Sequence, residues 1–489
     1  MVSETTPVII GVSQLLQRVA DPLSGKEPID MMVDAVRAAA QDTTNPNLLA
    51  EVGSVRVIRG VWRYKQPAGY VAAKIGVPGA ETVGTPFGGN MVQSVVNQTA
   101  LDISAGRQNL VVITGAENGN SLAKARKAGI ELPVTETSGP YTRMIGEDKS
   151  MASEPELARG IRAPIQIYPI FENALRYQAG ESIDAHNRRI AELWADFSRV
   201  AAGNPHAWIT EAMDANTIMT PSATNRMISF PYPKLMNSNS AVDMSAALIL
   251  CSVGKARALG VPEEKWIYPL AGTDAHDHFM VSDRDNLYSS PAIRIAGKRA
   301  LALLDMSVGD LDMIDVYSCF PSAVQVARAE LGLPDTLPLT VTGGLTFGGG
   351  PLNNYVMHSI ARMVELLREG TGQRGMITAN GGYLTKHAFG IYGAEPGAKP
   401  FQYANVQPEV DETPSRHSLI DFEGEVMIES YTVMYGAEGP DLAHAACLNS
   451  DGERTWANTN NPDVMDAMTT EEFCGRRAWI DGKGHLDIR

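Results

Sequence analysis

Three glycine-rich stretches and one polar strand end are the parts of this sequence where chemistry is most easily placed. The stretches cover residues 87–90, 343–351 and 378–383, and the strand end covers residues 317–320. Glycine lacks a Cβ, so the backbone can turn sharply there and approach a ligand closely. The first stretch precedes a helical pattern that Asn90 can cap, and a helix N-terminus favours an anion or a thiolate.

The order and spacing of these four segments resemble the active-site loops of the thiolase superfamily, most closely the sterol-carrier-protein type. That family carries a nucleophilic Cys in the first loop, Asn or His at the strand end, His in the third loop and Cys in the fourth. The matching positions here are Gly88, Tyr317, Gly350 and Ala379, with Phe87 replacing Gly88 if the register slips by one. The resemblance implies a thiolase fold that binds coenzyme A (CoA) thioesters, and the replaced residues imply the loss of ordinary acetyl-CoA acetyltransferase activity.

Two other side chains are candidates for residual chemistry at the site that the resemblance implies. The family's strand-end residue helps to position a water on the thioester oxygen, and Tyr317 could donate a hydrogen bond to that oxygen. The alternative is a strand-end tyrosine with its hydroxyl at the surface. His387 is the nearest imidazole to the fourth loop, and its alternative is a structural histidine. Cys319 is interpreted as a small buried residue rather than a nucleophile.

Coenzyme A requires basic contacts for its phosphates and an apolar slot for pantetheine. Residues 226–240 resemble the thiolase segment that leaves the loop domain and lines the pantetheine tunnel. The residues that the resemblance assigns to the coenzyme are Arg226, Lys234, Met236, Asn239, Ser240, Gly381 and Gly382. For the basic residues of this set, the alternative is an ordinary solvated surface.

The remaining polar clusters do not predict a metal site. His276 and His278 have the composition of a ligand cluster, but no third ligand set accompanies them, so we expect loop residues and no metal. Four cysteines lie far apart without a CxxC pair, which predicts neither a disulfide nor a metal. No secretory signal and no apolar run of about 18 residues is visible. We therefore expect a cytoplasmic protein without a membrane span.

The net charge of −15 is concentrated near the C-terminus. From Glu395 onward there are 18 acidic and 7 basic residues, a net charge of −11, which leaves −4 for the first 394 residues. Nucleic-acid binding depends on Lys and Arg against phosphate, so this distribution argues against it. An acidic C-terminal domain could instead recruit a protein partner.

Alternation of apolar strands with amphipathic helices predicts an α/β fold with mostly parallel sheets. Residues 110–114 form a continuous apolar run typical of a strand buried on both faces. The resemblance implies two similar halves in five αβαβα layers. We predict an N-terminal half over residues 1–250, containing a loop domain at about 117–235, and a C-terminal half over residues 251–394.

Residues 395–489 are predicted to form a linker and an additional small β-barrel domain, OB-like in arrangement. Residues 394–400 are rich in Pro and Gly, and short alternating strands with turns follow, including 425–435 and a hairpin over 477–488. This tail resembles that of the mycobacterial-type thiolase-like proteins with an added C-terminal domain. Family habit implies a homodimer, and a monomer is the alternative if the added domain covers the dimer surface.

Three functions remain open on the sequence alone. The first is CoA or acyl-CoA binding on a thiolase scaffold without ordinary thiolase activity. The second is an acyltransferase or a retro-aldolase on CoA thioesters that uses Tyr317 or His387. The third is a non-catalytic scaffold that binds a protein partner.

Overall fold

The computed structural model describes residues 2–488, which form three sheets with helices packed between and around them. The strands are, in chain order, β1 (Pro7–Leu16), β2 (Ser54–Val57), β3 (Glu81–Gly84), β4 (Leu110–Asn118), β5 (Arg143–Met144), β6 (Met227–Ser229), β7 (Tyr232–Pro233), β8 (Asp243–Ser252), β9 (Tyr268–His276), β10 (Met313–Asp315), β11 (Arg374–Gly381), β12 (Lys386–Gly393), β13 (Gln402–Asn405), β14 (Ser418–Leu419), β15 (Gly424–Tyr435), β16 (Pro440–Leu448), β17 (Arg454–Thr459), β18 (Arg477–Ile480) and β19 (Leu486–Ile488).

The helices alternate with these strands in both halves of the chain. They are α1 (Pro28–Asp42), α2 (Pro67–Lys74), α3 (Met91–Ser104), α4 (Gly119–Ala128), α5 (Glu154–Ala158), α6 (Pro164–Gln178), α7 (Ile183–Gly203), α8 (Ala215–Met219), α9 (Val253–Ala258), α10 (Pro291–Ala302), α11 (Pro321–Leu331), α12 (Tyr355–Arg368), α13 (Gln407–Asp411) and α14 (Pro462–Thr470).

The first sheet belongs to the N-terminal half and has the strand order β1-β8-β4-β2-β3-β5. Strands β2, β3 and β4 are parallel, and β8 runs antiparallel to both β1 and β4. Every residue of β4 and β8 is buried, which is why both sequences are nearly continuous apolar runs.

The second sheet belongs to the C-terminal half and has the order β10-β11-β12-β9-β13. Helix α3 contacts strands of both sheets, so it lies in the layer between them. This arrangement places the start of α3, the end of β10 and the end of β11 in one region. The predicted α/β fold with two similar halves is confirmed. The sheets are mixed rather than mostly parallel, since β12 also runs antiparallel to both β11 and β9.

The long insertion between β4 and β8 carries α4–α8 and three short strands. One of these strands, β5, runs parallel to β3 and occupies the edge of the first sheet. The other two, β6 and β7, pair with each other, and β6 also pairs with β15 through Ser229 and Met434. The insertion therefore extends the first sheet and joins the third.

The third sheet is C-terminal, with the order β14-β17-β16-β15-β18-β19. The expected strand at 425–435 is β15, and the expected hairpin is the antiparallel pair β18 and β19. Between residue 395 and the third sheet the structure contains a strand that the sequence did not predict. This strand, β13, joins the second sheet and runs parallel to β9. Such a pairing depends on a partner more than 120 residues away and leaves little trace in local composition. The OB-like arrangement stays a prediction.

Arg454 on β17 holds the third sheet against the second half. Its guanidinium is fully buried and forms a bidentate pair with Glu429, with N–O distances of 2.7 and 2.8 Å. It also donates to the carbonyl oxygens of Ser282 (2.8 Å) and Arg284. The N–H donors of this one rigid group thus satisfy a partly buried carboxylate and buried carbonyls together.

Replacing Arg454 with Met should destabilise the protein by about 3 kcal/mol or more, because it leaves the partly buried Glu429 and two buried carbonyls without partners. The matched control is Arg477→Met on β18 of the same sheet, where the side chain is exposed. Urea unfolding of both variants measures the difference. A midpoint for Arg454→Met equal to that of the control would contradict the proposed contribution of this contact.

Candidate active site

Three of the four predicted loops meet at Gly89, immediately before α3. A Cβ added to Gly89 would lie 2.5 Å from the Tyr317 hydroxyl and even closer to the Asn380 carbonyl oxygen. A Cβ added to Gly381 would lie 3.0 Å from the backbone nitrogen of Gly89. The first, strand-end and fourth loops are therefore packed so closely that no side chain fits between them.

The structure separates the two adjacent glycines of the first loop. Gly89 faces Tyr317, whereas a Cβ on Gly88 would meet the Asn90 Oδ1 at 2.5 Å and the Lys386 ammonium at 2.9 Å. The resemblance assigned the nucleophile position to Gly88, but Gly89 is the position that faces the other loops. Asn90 is at the N-cap of α3 as predicted, although its side chain makes no capping hydrogen bond.

Tyr317 lies at the centre of the site and is held by its backbone and its ring. Its N–H donates to Thr378 Oγ1 at 2.9 Å, and its ring packs edge-on against Tyr355 with centroids 5.4 Å apart. The residue is 8% exposed, and burial raises its pKa well above the usual value. The phenol is therefore neutral at physiological pH, and within residues 2–488 its hydroxyl has no hydrogen-bond partner. It is available as a donor to a ligand.

Asp315 shapes the third loop from the end of β10. Its Oδ2 accepts hydrogen bonds from the backbone N–H groups of Val341 (2.9 Å) and Thr342 (3.2 Å), and its Oδ1 accepts one from the Tyr355 hydroxyl (2.9 Å). Burial raises the pKa of this carboxyl, and the hydrogen bonds oppose that shift. The loop then turns at Gly343, whose φ of 90° favours glycine.

The third loop packs against the segment that was matched to the pantetheine tunnel. Asn239 N–H donates to the Leu345 carbonyl, and Gly350 N–H donates to the Asn239 carbonyl, both at 3.0 Å. A Cβ on Gly350 would collide with the Ser238 hydroxyl. The structure thus brings together Asn239 and Gly350, and it leaves no room for an imidazole at position 350 in this conformation.

The other residues assigned to the coenzyme are more dispersed. Arg226 and Lys234 are both exposed and lie on adjacent backbones, where Lys234 N–H donates to the Arg226 carbonyl at 2.9 Å. Arg226 also lines a groove of about 720 Å³ between the insertion and the third sheet. Met236 is only 1% exposed, and Ser240 is exposed. Only the basic pair is thus placed to meet phosphates from solvent.

The fourth loop is fixed by a tyrosine of the insertion that the sequence did not single out. The Tyr168 hydroxyl accepts hydrogen bonds from Leu384 N–H (2.9 Å) and Asn380 Nδ2 (3.0 Å), and it donates to the Gly382 carbonyl (3.2 Å). These bonds determine the path of the backbone around the buried Gly381. A tyrosine on a helix of the insertion gives no local signal of such a contact.

His387 and Cys319 lie in buried surroundings behind the loops. His387 is 2% exposed, and its Nε2 lies 3.1 Å from the Leu384 carbonyl and 3.5 Å from the Asp277 carboxylate. Asp277 is also paired with Arg284. These contacts are those of a structural histidine. Burial raises the pKa of Cys319 to about 12, so it is a thiol rather than a thiolate.

The expectation of two loop histidines is wrong for His276, which is the last residue of β9 and pairs with Lys386 of β12. Both histidines bond to backbone. His276 Nδ1 lies 2.7 Å from the Asp277 carbonyl, and His278 Nε2 lies 3.0 Å from the Thr413 carbonyl. Within residues 2–488, no group of three or more His, Cys, Asp or Glu side chains could hold a metal ion. Over the same residues, no helix is both long enough and apolar enough to cross a membrane.

Lys386 is the functional candidate that sequence reasoning missed. Its ammonium donates to the Phe87 carbonyl at 2.8 Å, so the start of β12 is tied to the first loop. Burial lowers its pKa. The signal that could have found it is the alternation of β12, because successive residues of a strand point to opposite faces and Lys386 and His387 therefore face different surroundings.

Comparison with known proteins identifies this architecture. The sequence-family model described as thiolase-like protein type 1 additional C-terminal domain matches residues 405–485. The crystal structure of a monomeric SCP2-thiolase-like protein type 1 from Mycobacterium smegmatis is 30% identical, covers 100% of both chains and has a TM-score of 0.85. Human mitochondrial 3-ketoacyl-CoA thiolase, solved in complex with CoA, shows the same fold at 14% identity, with 80% of this chain and 98% of that one covered and a TM-score of 0.57.

A curated relative, the acetyl-CoA acetyltransferase of Methanothermobacter thermautotrophicus, is 24% identical over 238 residues. That alignment covers 45% of this chain and 59% of the relative, less than two thirds of its length. The full-length match to the mycobacterial protein and the match of the C-terminal domain together confirm the resemblance inferred from the four loops. The chain belongs to the SCP2-thiolase-like protein type 1 family.

Proposed function

We propose that this protein binds coenzyme A or acyl-CoA thioesters and lacks ordinary thiolase activity. The observation that carries the proposal is at Gly89: the Tyr317 hydroxyl and the Asn380 carbonyl occupy the space that a nucleophilic side chain there would need. A thiolase reaction passes through an acyl-enzyme, which requires a nucleophile and a base to activate it. Gly350 and Ala379 supply neither imidazole nor thiol.

The scaffold for the coenzyme supports the binding part of the proposal. Asn239 and the third loop are joined by hydrogen bonds in both directions, and Arg226 and Lys234 present two cations at the surface of the insertion. The human thiolase of the same fold was solved with CoA. A reduced cytoplasmic compartment accords with four buried free cysteines.

A second candidate function uses Tyr317 as an electrophilic group. Its neutral hydroxyl, without a hydrogen-bond partner among residues 2–488, can donate to a thioester oxygen and so support acyl transfer or retro-aldol cleavage. His387, the other candidate for such chemistry, is bound to the Leu384 carbonyl and lies beside Asp277. A partner for the acidic C-terminal region remains a third proposal.

We further propose a monomer. Thiolases dimerise through the sheet edge and the loops near the nucleophile, and here β5 of the same chain already pairs with the edge strand β3 through Val83 and Arg143. An edge strand whose hydrogen bonds are satisfied within the chain has none to offer a second copy. The mycobacterial relative is described as monomeric.

Light scattering coupled to gel filtration should therefore give the monomer mass of 52.6 kDa at every concentration loaded. The physical reason is the occupied edge of β3. A mass near twice that value, or one that rises with concentration, would contradict the monomer.

Isothermal titration calorimetry should detect CoA binding, and the same preparation should not cleave acetoacetyl-CoA in the presence of CoA at a rate ordinary for an enzyme. Removal of nucleophile and base together typically lowers turnover by several orders of magnitude. The matched variant is Arg226→Met with Lys234→Met, which should weaken CoA binding without changing the fold. Thiolytic turnover of the wild-type protein at an ordinary rate would disprove the proposal.

A cysteine introduced at Gly88 should have a lowered thiol pKa but should not restore thiolase activity. It would lie at the N-terminus of α3 and beside the Lys386 ammonium, both of which favour the thiolate. Iodoacetamide labelling against pH measures this, with Gly79→Cys as the control because an added side chain there meets open space. Labelling no faster than at the buried Cys251, or a pH profile identical to the control, would show that position 88 lacks this electrostatic environment.

A further inference from the structure

A cavity of about 430 Å³ lies beside the first two turns of α3. We refer to it as the α3 cavity. Its walls come from α3, from the ends of β9 and β12 that adjoin the loops, from residues 145–149, and from β13 and the start of α13. Polar residues that line it include Asn90, Ser94, Gln98, Asp274, His276 and Lys386.

The positions of these residues follow from the regular structure. Asn90, Ser94 and Gln98 are spaced by four and form one stripe along α3. On β9, Asp274 and His276 are two apart and point to the same face, and Lys386 of β12 is the cross-strand partner of His276. A polar stripe of a helix thus faces a polar patch of the sheet, and the cavity between them is a built site rather than an accident of loops.

Lys386 is a cation of the cavity wall that no carboxylate contacts directly, although Asp148 lies near enough to act on its charge. Its one hydrogen bond goes to the Phe87 carbonyl, and within residues 2–488 no carboxylate lies within 4.0 Å of its ammonium. The carboxylates that line the cavity have other partners: Asp274 accepts from Ser94 and from Asn97 (2.9 Å), and Glu147 pairs with Lys149 at 3.0 Å.

The desolvation of Lys386 favours an anion in the cavity. Burial lowers the pKa of Lys386, and the nearby Asp148 carboxylate offsets part of that shift. Burial also raises the pKa of Asp274 to about 6. An anion in contact with the Lys386 ammonium would offset the remaining cost of its desolvation. The free N–H groups at the start of the 14-residue helix α3 act in the same direction.

Asn90 provides an independent sign of a ligand. The residue is 8% exposed, and its buried Oδ1 has no hydrogen-bond partner within the described chain. That oxygen lies 2.5 Å from the position of a Cβ on either Gly88 or Gly381, at the junction between the cavity and the loops. Rotation of the amide can present either an acceptor or a donor there. A buried amide oxygen without a hydrogen bond lowers the stability of the fold unless a ligand donates to it.

The cavity adjoins the site of the proposed function. Lys386 Nζ lies 2.9 Å from the Cβ position of Gly88, and the adjacent Gly89 faces the Tyr317 hydroxyl. A thioester whose carbonyl is held by Tyr317 can extend its acyl group past the two glycines toward Lys386 only if the first loop moves away from the Asn380 carbonyl. Apolar side chains in the lining, among them Met91, Ile145 and Phe279, can contact the methylene groups of such a chain.

We propose that the α3 cavity receives an acyl group that ends in a carboxylate, so that the preferred ligand is the CoA thioester of a dicarboxylic acid. This inference rests on the proposed function. Lys386 binds the terminal carboxylate by a charge-assisted hydrogen bond, and Asn90 lies between that group and the thioester. No covalent step is involved.

Calorimetric titration with glutaryl-CoA and pentanoyl-CoA, which share chain length and differ in the terminal carboxylate, tests the proposal. We expect glutaryl-CoA to bind about tenfold tighter or more to the wild-type protein, the usual size of a charge-assisted hydrogen bond. Lys386→Met should abolish that preference while leaving pentanoyl-CoA binding within about threefold. Lys399→Met removes an exposed charge elsewhere, one that pairs with Asp305, and should leave the preference unchanged.

The outcomes separate the two proposals. Equal or tighter binding of pentanoyl-CoA, or a preference that survives Lys386→Met, would overturn the assignment of the cavity while CoA binding stands. If neither thioester nor CoA itself binds the wild-type protein, the proposed function is wrong, and the inference that depends on it is wrong as well. Melting temperatures of both variants near that of the wild type establish that the changes are local.

Discussion

The close approach of backbone at Gly89 is the constraint on which the site depends. Helix α3 lies between the two sheets, and its start is packed against the ends of β10 and β11 from the other half. Because residue 89 has no side chain, the Tyr317 hydroxyl and the Asn380 carbonyl can occupy the space beside it. The two halves therefore meet through backbone and a single phenol, where the family resemblance implies a thiol. A nucleophile could be accommodated only if the loops moved apart.

Residues outside the four loops hold the loops in these positions. Asp315 anchors the third loop through the N–H groups of Val341 and Thr342, and Tyr168 of the insertion anchors the fourth. The insertion is held in turn by the third sheet, since Asn173 donates to the Tyr431 carbonyl at 2.9 Å. The C-terminal domain is thus connected to the site through the insertion.

Sequence reasoning predicted the α/β halves, the long insertion and most of the C-terminal strands because these follow from local periodicity. It missed what depends on distant partners. Strand β13 joins β9 across more than 120 residues of chain, and nothing in its composition predicts that pairing. The surroundings of the first loop are of the same kind. The sequence offered Gly88, or Phe87 in a shifted register, and only the three-dimensional approach of Tyr317 shows that Gly89 faces the strand end. Sequence reasoning considered His387 and not Lys386. The two adjacent residues point to opposite faces of β12, so what surrounds one says nothing about the other.

Under the proposed function, the residue types of the loops and the cavity beside α3 are physically connected. A thiol and two imidazole or thiol partners would need space, solvent access and a shared proton path at the meeting point of the loops. With glycine and alanine in those places, the loops close on one another. The Tyr317 hydroxyl lies 2.5 Å from the Cβ position of Gly89, and the Asn90 Oδ1 and the Lys386 ammonium lie 2.5 and 2.9 Å from that of Gly88. A buried amide oxygen without a partner and a desolvated cation are both costly, and a polar ligand can satisfy both. Under the proposed function, such an arrangement selects a ligand by its shape and charge without transforming it.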